Sequence, residues 1–147
     1  MVGGVIKSTF VALFILTLCG GCRSKQVQKL EPSTSQAVQT IEVSNELLTS
    51  GLRDTLHFGV MRQGEVIEKS LRIKNCDKEP FVILRYVTSC GCVSVNYNRK
   101  PILAGESSDI KFTFDSKSLN GWQMKLMEFY FADKDTPLKI YLEAEVE

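Results

Sequence analysis

The chain has 147 residues, 44% of them apolar and 24% charged, which is enough to bury one core of ordinary size and not two. Its 18 basic and 17 acidic side chains leave a formal charge of +1, so the positive field that would hold a nucleic-acid backbone is missing. The single histidine, His57, has no second imidazole to join in a multi-histidine metal site.

In chain order, Lys7 supplies a positive charge and Phe10 to Leu18 an apolar run that ends at Cys19-Gly20-Gly21-Cys22. That is the pattern of a signal peptide, with an apolar stretch too short to span a bilayer comfortably. An uncleaved short anchor is the alternative. Gly20 and Gly21 directly before Cys22 resemble the small residues of a bacterial lipobox, in which the cysteine thiol receives a diacylglyceryl group and its amine is acylated. Cys19 stands where such boxes usually have leucine. Choosing Cys19 as the modified residue would restore Leu16 to that place but set bulky Leu18 against the cleavage site, so Cys22 is preferred. Residues 1–21 are therefore expected to be a lipoprotein signal peptide. Residues 22–37, rich in Ser, Gln, Lys and Thr, are expected to be a lipidated flexible tether.

From residue 38 to 147 the apolar period is mostly two, which argues strands. Gln39 to Val43 is a first strand, and Ser44 caps a helical turn over Asn45 to Leu48. Asp54 to Val60 is a strand that Met61-Arg62-Gln63-Gly64 turns back. Val66 to Lys74 sets Ile67, Leu71 and Ile73 on one face and Glu68, Ser70, Arg72 and Lys74 on the other. Asn75 to Pro80 is a turn cluster. Phe81 to Val87 is apolar nearly throughout, which suits a strand covered on both faces or one that changes partners. Val93 to Tyr97, Ile110 to Phe114 and Trp122 to Ala132 follow as strands. In the last, Leu138, Ile140, Leu142, Ala144 and Val146 alternate with Lys139, Tyr141, Glu143 and Glu145. About seven strands with turn residues between them predict an all-β, immunoglobulin-like antiparallel sandwich.

Phe58-Gly59-Val60, Gly64-Glu65-Val66, Leu71 to Asn75, Glu79 to Ile83, Ser89-Cys90-Gly91-Cys92 and Ala104-Gly105-Glu106 occur in an order that resembles the bacterial family known as domain of unknown function fifteen-seventy-three. The resemblance runs from about Asp54 to Glu147, and the Cys-Gly-Cys after an apolar strand is its specific element. It implies an immunoglobulin-like sandwich, similar to modules that act by binding other proteins, in lipoproteins and exported proteins. No enzyme activity is implied. Val93 stands where the family usually has threonine, and Cys76 where a small polar residue is common.

Three thiols, Cys76, Cys90 and Cys92, then face an exported, oxidising setting. If the strands on either side of Cys76 run in opposite directions, it lies at one end of the sandwich and Cys90 at the other, roughly 20 Å away at ~3.3 Å per residue. Disulfide geometry forbids that pairing. Cys90 and Cys92, two apart on a strand, share a face at the outer edge of disulfide reach. A structural or idle pair, a redox-labile disulfide and a soft-metal site, Cu(I) before Zn, all remain open. His57 is taken as a strand residue and not a ligand. Trp122, Met124, Met127, Phe129, Tyr130 and Phe131 could line a partner groove, although such residues in alternating strands usually form core. Lys125 is a solvated strand-face lysine, and Asp115, Asp133 and Asp135 lack calcium-loop spacing.

The expectation is a lipid-anchored protein of the bacterial cell envelope, its domain in the periplasm, acting without catalysis as an interaction or assembly module on a protein partner. No cofactor, resident metal, nucleic acid or small-molecule substrate is expected. The alternative is thiol-disulfide redox or Cu/Zn handling through Cys90 and Cys92. Anchoring has a direct test. Cys22→Ser should move the protein from the membrane to the soluble fraction, and continued membrane association would count against lipidation.

Overall fold

The computed structural model describes residues 38–147. The signal peptide assigned to residues 1–21, the acylated Cys22 and the tether to residue 37 lie outside the described residues. Eight strands and one short helix follow: β1 (Gln39–Val43), α1 (Asn45–Thr49), β2 (Arg53–Met61), β3 (Val66–Asn75), β4 (Ile83–Thr88), β5 (Val93–Tyr97), β6 (Ser107–Asp115), β7 (Gly121–Phe131) and β8 (Leu138–Val146). They form two four-stranded sheets, ordered β1-β3-β6-β5 and β2-β8-β7-β4. The all-β sandwich read from the sequence is the fold.

The antiparallel expectation needs correcting at two edges. β1 lies parallel to β3, and β2 parallel to β8. The cause is α1, which carries the chain across from the first sheet to the second, so that neither β1 nor β2 joins its sequence neighbour. Ser44 caps that helix by accepting the Leu47 N–H at 3.2 Å, and Leu48 dips into the core. Likewise Arg62 to Glu65 does reverse the chain after β2 but is no hairpin, because β2 and β3 belong to different sheets.

The inner faces are the alternating apolar sets. β8 is buried at every second residue from Leu138 to Val146. Aromatic rings cross between the sheets: Phe58 meets Phe114 at 5.5 Å between centroids, Phe112 meets Phe129 at 5.9 Å, and Tyr86 meets Tyr97 at 6.1 Å. Edge-to-face arrangements of this kind add to the burial of the rings themselves.

Two bulges shift the alternation. In β2 the register slips between His57 and Gly59, where Gly59 adopts φ +80°, so Leu56, Phe58 and Met61 point inward while Val60 turns out. In β4 the register slips between Ile83 and Arg85. Ile83 is buried and Tyr86 packs on the core, whereas Leu84 and Val87 are exposed. Phe81 to Val87 is thus not covered on both faces. It changes partners instead, since Phe81 bridges Ile102 before β4 joins β7.

Asn75, the last residue of β3, is fully buried. Its Nδ2 donates to the Glu79 carbonyl at 2.8 Å and the Ile102 carbonyl at 2.9 Å, and its Oδ1 accepts the Asp77 N–H at 2.8 Å. Its backbone also exchanges hydrogen bonds with Glu106 and Gly105. Asp77 continues the network by accepting the Asn45 and Lys78 N–H groups, which hold its carboxyl below the usual range. Asn75→Ala removes three hydrogen bonds around buried groups and should cost about 2–4 kcal/mol of stability. Urea unfolding at unchanged m-value measures this; a loss below about 1 kcal/mol would show that water re-satisfies the groups.

Candidate functional site

The outer face of the β2-β8-β7-β4 sheet carries side chains in rungs set by the strand register. Val60, Glu145 and Trp122 form one rung, His57, Glu143 and Met124 the next, and Thr55, Tyr141 and Leu126 a third. Arg53, Lys139 and Glu128 form the fourth, which reaches Val87 on β4. Val60 is 65% exposed, Trp122 56%, Met124 47% and Val87 42%. An indole, a thioether and a phenol in adjoining positions, edged by charged groups, have the composition of an interface more than of an ordinary solvated strand face.

Glu143 organises the middle of this face. Its Oε2 lies 2.9 Å from His57 Nδ1, and its Oε1 accepts the Trp122 indole N–H at 3.1 Å. A shallow groove of about 260 Å³ runs between His57, Gly59, Val60, Trp122, Glu143, Ala144 and Glu145. A second, of about 450 Å³, is lined by Arg53, Asp54, Thr55, Met124 and Tyr141. The Arg85 guanidinium stacks 3.7 Å from the Tyr130 ring centroid, and Lys139 pairs with Glu128 at 3.6 Å.

The aromatic and Met stretch of β7 that the sequence offered as one candidate groove is divided by its period of two. Met127, Phe129 and Phe131 are core, while Trp122, Met124 and Tyr130 stand on the other side. His57, taken from sequence as a plain strand residue, belongs to the exposed cluster by way of Glu143. Glu143 itself was not singled out; only the parallel pairing of β2 with β8 brings it to His57, and nothing local in the sequence signals that pairing.

The Cys-Gly-Cys segment lies where the chain leaves β4 in one sheet and enters β5 in the other. Cys90 and Cys92 are joined by a disulfide, with Cα atoms 5.2 Å apart. Thr88 Oγ1 accepts the Cys90 N–H and donates to the Cys90 carbonyl. Ser89 exchanges two hydrogen bonds with Leu126 of β7, through its own N–H and its Oγ, and Asp115 N–H donates to the Cys92 carbonyl. The Cys92 N–H points at Cys90 Sγ, 3.0 Å away. Chain entropy assigns a ring that encloses only three residues about 1.6 kcal/mol, little for a structural staple. Cys76 is a free, exposed thiol beside the end of β1, its N–H donating to the Val43 carbonyl. Among the described residues no group of three or more His, Cys, Asp or Glu is close enough to hold a metal ion.

Residues 50–146 match the model of a family described as Protein of unknown function (DUF1573). No curated protein matches the sequence. Among solved structures, a protein of unknown function from Porphyromonas gingivalis W83 superposes with a TM-score of 0.55 at 17% identity, over 68% of this chain and 50% of that one. The VesB protease of Vibrio cholerae superposes with a TM-score of 0.53 at 13% identity, over 68% of this chain and 33% of that one. The chain therefore spans half of the first protein and a third of the second, and at these identities the likeness is one of fold alone.

Trp122 is the only tryptophan, so its emission reports on the rung geometry. It should resemble that of a solvated indole and be quenched readily by iodide. A blue-shifted, quench-resistant emission would put Trp122 in the core and dismantle the exposed face.

Proposed function

The chain belongs to the family described as Protein of unknown function (DUF1573), and on that premise we propose that it is a non-catalytic interaction module of the bacterial cell envelope, lipid-anchored through Cys22, which binds a protein partner with the outer face of the β2-β8-β7-β4 sheet. The observation that carries this reading is the exposed row Trp122, Met124 and Val60 on a sandwich whose core is otherwise complete. Burying exposed indole and thioether groups on a folded platform gives a partner apolar area at little ordering cost in this domain. Arg85 on Tyr130 and Glu143 on Trp122 hold their neighbours in place beforehand, which lowers that cost further.

A sheet face suits binding more than catalysis for a second reason. Its grooves are shallow, and among the described residues no nucleophile is bonded to the histidine-carboxylate pair, in which the Glu143 carboxylate faces His57 and Trp122. The tether proposed for residues 22–37 would set the domain on the order of 20 Å from the membrane, within reach of neighbours in the envelope.

The test is in-cell cross-linking of the tethered protein, with and without Trp122→Ser combined with Met124→Ser. Both side chains are exposed, so circular dichroism and melting should change little. Specific cross-links should fall by roughly tenfold or more if these residues are central anchors. Undiminished cross-linking by a folded double variant would defeat the assignment of this face.

A further inference from the structure

We propose that the Cys90–Cys92 disulfide is an exchangeable two-electron site, taking electrons from a pair of thiols on another protein while the sandwich stays folded. Three observations carry this. The first is that the backbone around the bond is held without it. Ser89 is fixed to Leu126 of β7, Thr88 to Cys90, and Cys92 to Asp115 of β6. Opening the bond leaves every one of those hydrogen bonds in place.

The second is an asymmetry between the sulfurs. Both cysteines are partly buried, but Cys92 is packed against the core cluster and Cys90 lies outside it. Cys90 Sγ also receives the Cys92 N–H, and a hydrogen bond to sulfur favours its thiolate. Attack and departure are thereby assigned. A partner thiolate attacks Cys90 Sγ, the Cys90–Cys92 bond breaks, and Cys92 leaves as a thiolate that takes up a proton. The partner's second thiolate then attacks its own sulfur in the mixed disulfide and expels Cys90 as the thiolate that the Cys92 N–H stabilises. Two electrons have passed from the partner dithiol to the pair and the partner ends as a disulfide; of the two protons its thiols gave up on forming thiolates, the equivalent of one is now on Cys92 and the other stays in solvent while Cys90 remains a thiolate. Exchange with a more oxidising protein disulfide runs the steps backward.

The third concerns Gly91. It has no left-handed φ, and a Cβ built on it meets nothing within 4 Å beyond the two flanking cysteines. Neither its backbone conformation nor packing against the rest of the domain therefore demands glycine, and the residue between the two cysteines carries no side chain that could cover either sulfur.

The experiment uses the full chain carrying Cys76→Ser, with dithiothreitol as the dithiol and peptide-resolved alkylation at Cys90 and Cys92 as the readout. Both sulfurs should become alkylatable without denaturant, with circular dichroism and melting little changed. Cys90 in a Cys92→Ser variant should alkylate on the order of tenfold faster at neutral pH than Cys92 in a Cys90→Ser variant. Gly91→Val should slow reduction while leaving melting unchanged. If the pair opens only at the denaturant midpoint of the whole domain, it is a structural clip and the proposal is overturned. Equal or reversed reactivity of the two single-cysteine variants would overturn the assigned direction of attack. Since the Trp122 and Met124 variants leave these sulfurs intact, failure of the interaction face and failure of this site are distinguishable.

Discussion

A buried primary amide holds the two sheets in register. Asn75 ends β3 in one sheet, yet its side chain binds the carbonyl of Glu79, which leads into β4 of the other, and that of Ile102, which leads into β6. Sandwich layers are otherwise joined by apolar contact, which is strong but does not choose among nearby registers. An amide whose two donors and one acceptor are all engaged does choose, because any slip would leave buried polar groups unpaired. Phe81 and Ile102, paired through both backbone groups, extend the same clamp. From this corner the partner change of the Phe81 segment follows. The chain must first bind the connection between β5 and β6 and only then reach β7.

How much of this was legible depends on the length scale of each signal. Strands with an uninterrupted period of two, such as Leu138 to Val146, were readable because each buried residue predicts the next. β1 and β5 were found with the bounds they have, and the Ser44 cap was visible as a capping residue before a short polar-apolar run. The two bulges were not, since a single slipped residue resembles noise in a short window. Val60 and Leu84 therefore changed faces without notice. The parallel edges were equally hidden: they depend on where α1 delivers the chain and not on the residues of β1 or β2. Asn75 was placed in a turn cluster on composition, although its work is done as the buried end of a strand.

The exposed face was hidden for a related reason. Its parts, His57, Trp122, Met124 and Glu143, come from three strands, and the rungs that align them exist only once the register is known. Sequence showed a strand rich in Met and aromatics but not which half faced out. The Cys-Gly-Cys segment is the opposite case, because spacing alone limits what two thiols separated by one residue can do. What spacing could not supply is the surroundings: the N–H aimed at Cys90 Sγ and the hydrogen bonds that flank the bond.

Those surroundings also connect the two proposals. Ser89, directly before Cys90, is bonded to the backbone of Leu126, and Leu126 continues the outward row of Trp122 and Met124 on β7. The step from Met124 to Leu126 is two residues, about 6.6 Å of strand. A protein docked on the row therefore sits beside the sheet-crossing segment that holds the disulfide. Docking of that kind turns thiol exchange from a bimolecular encounter into a local one, and such an effective concentration matters most for a sulfur that is only partly exposed. The proposed docking face and the proposed exchangeable bond would then be two halves of one contact.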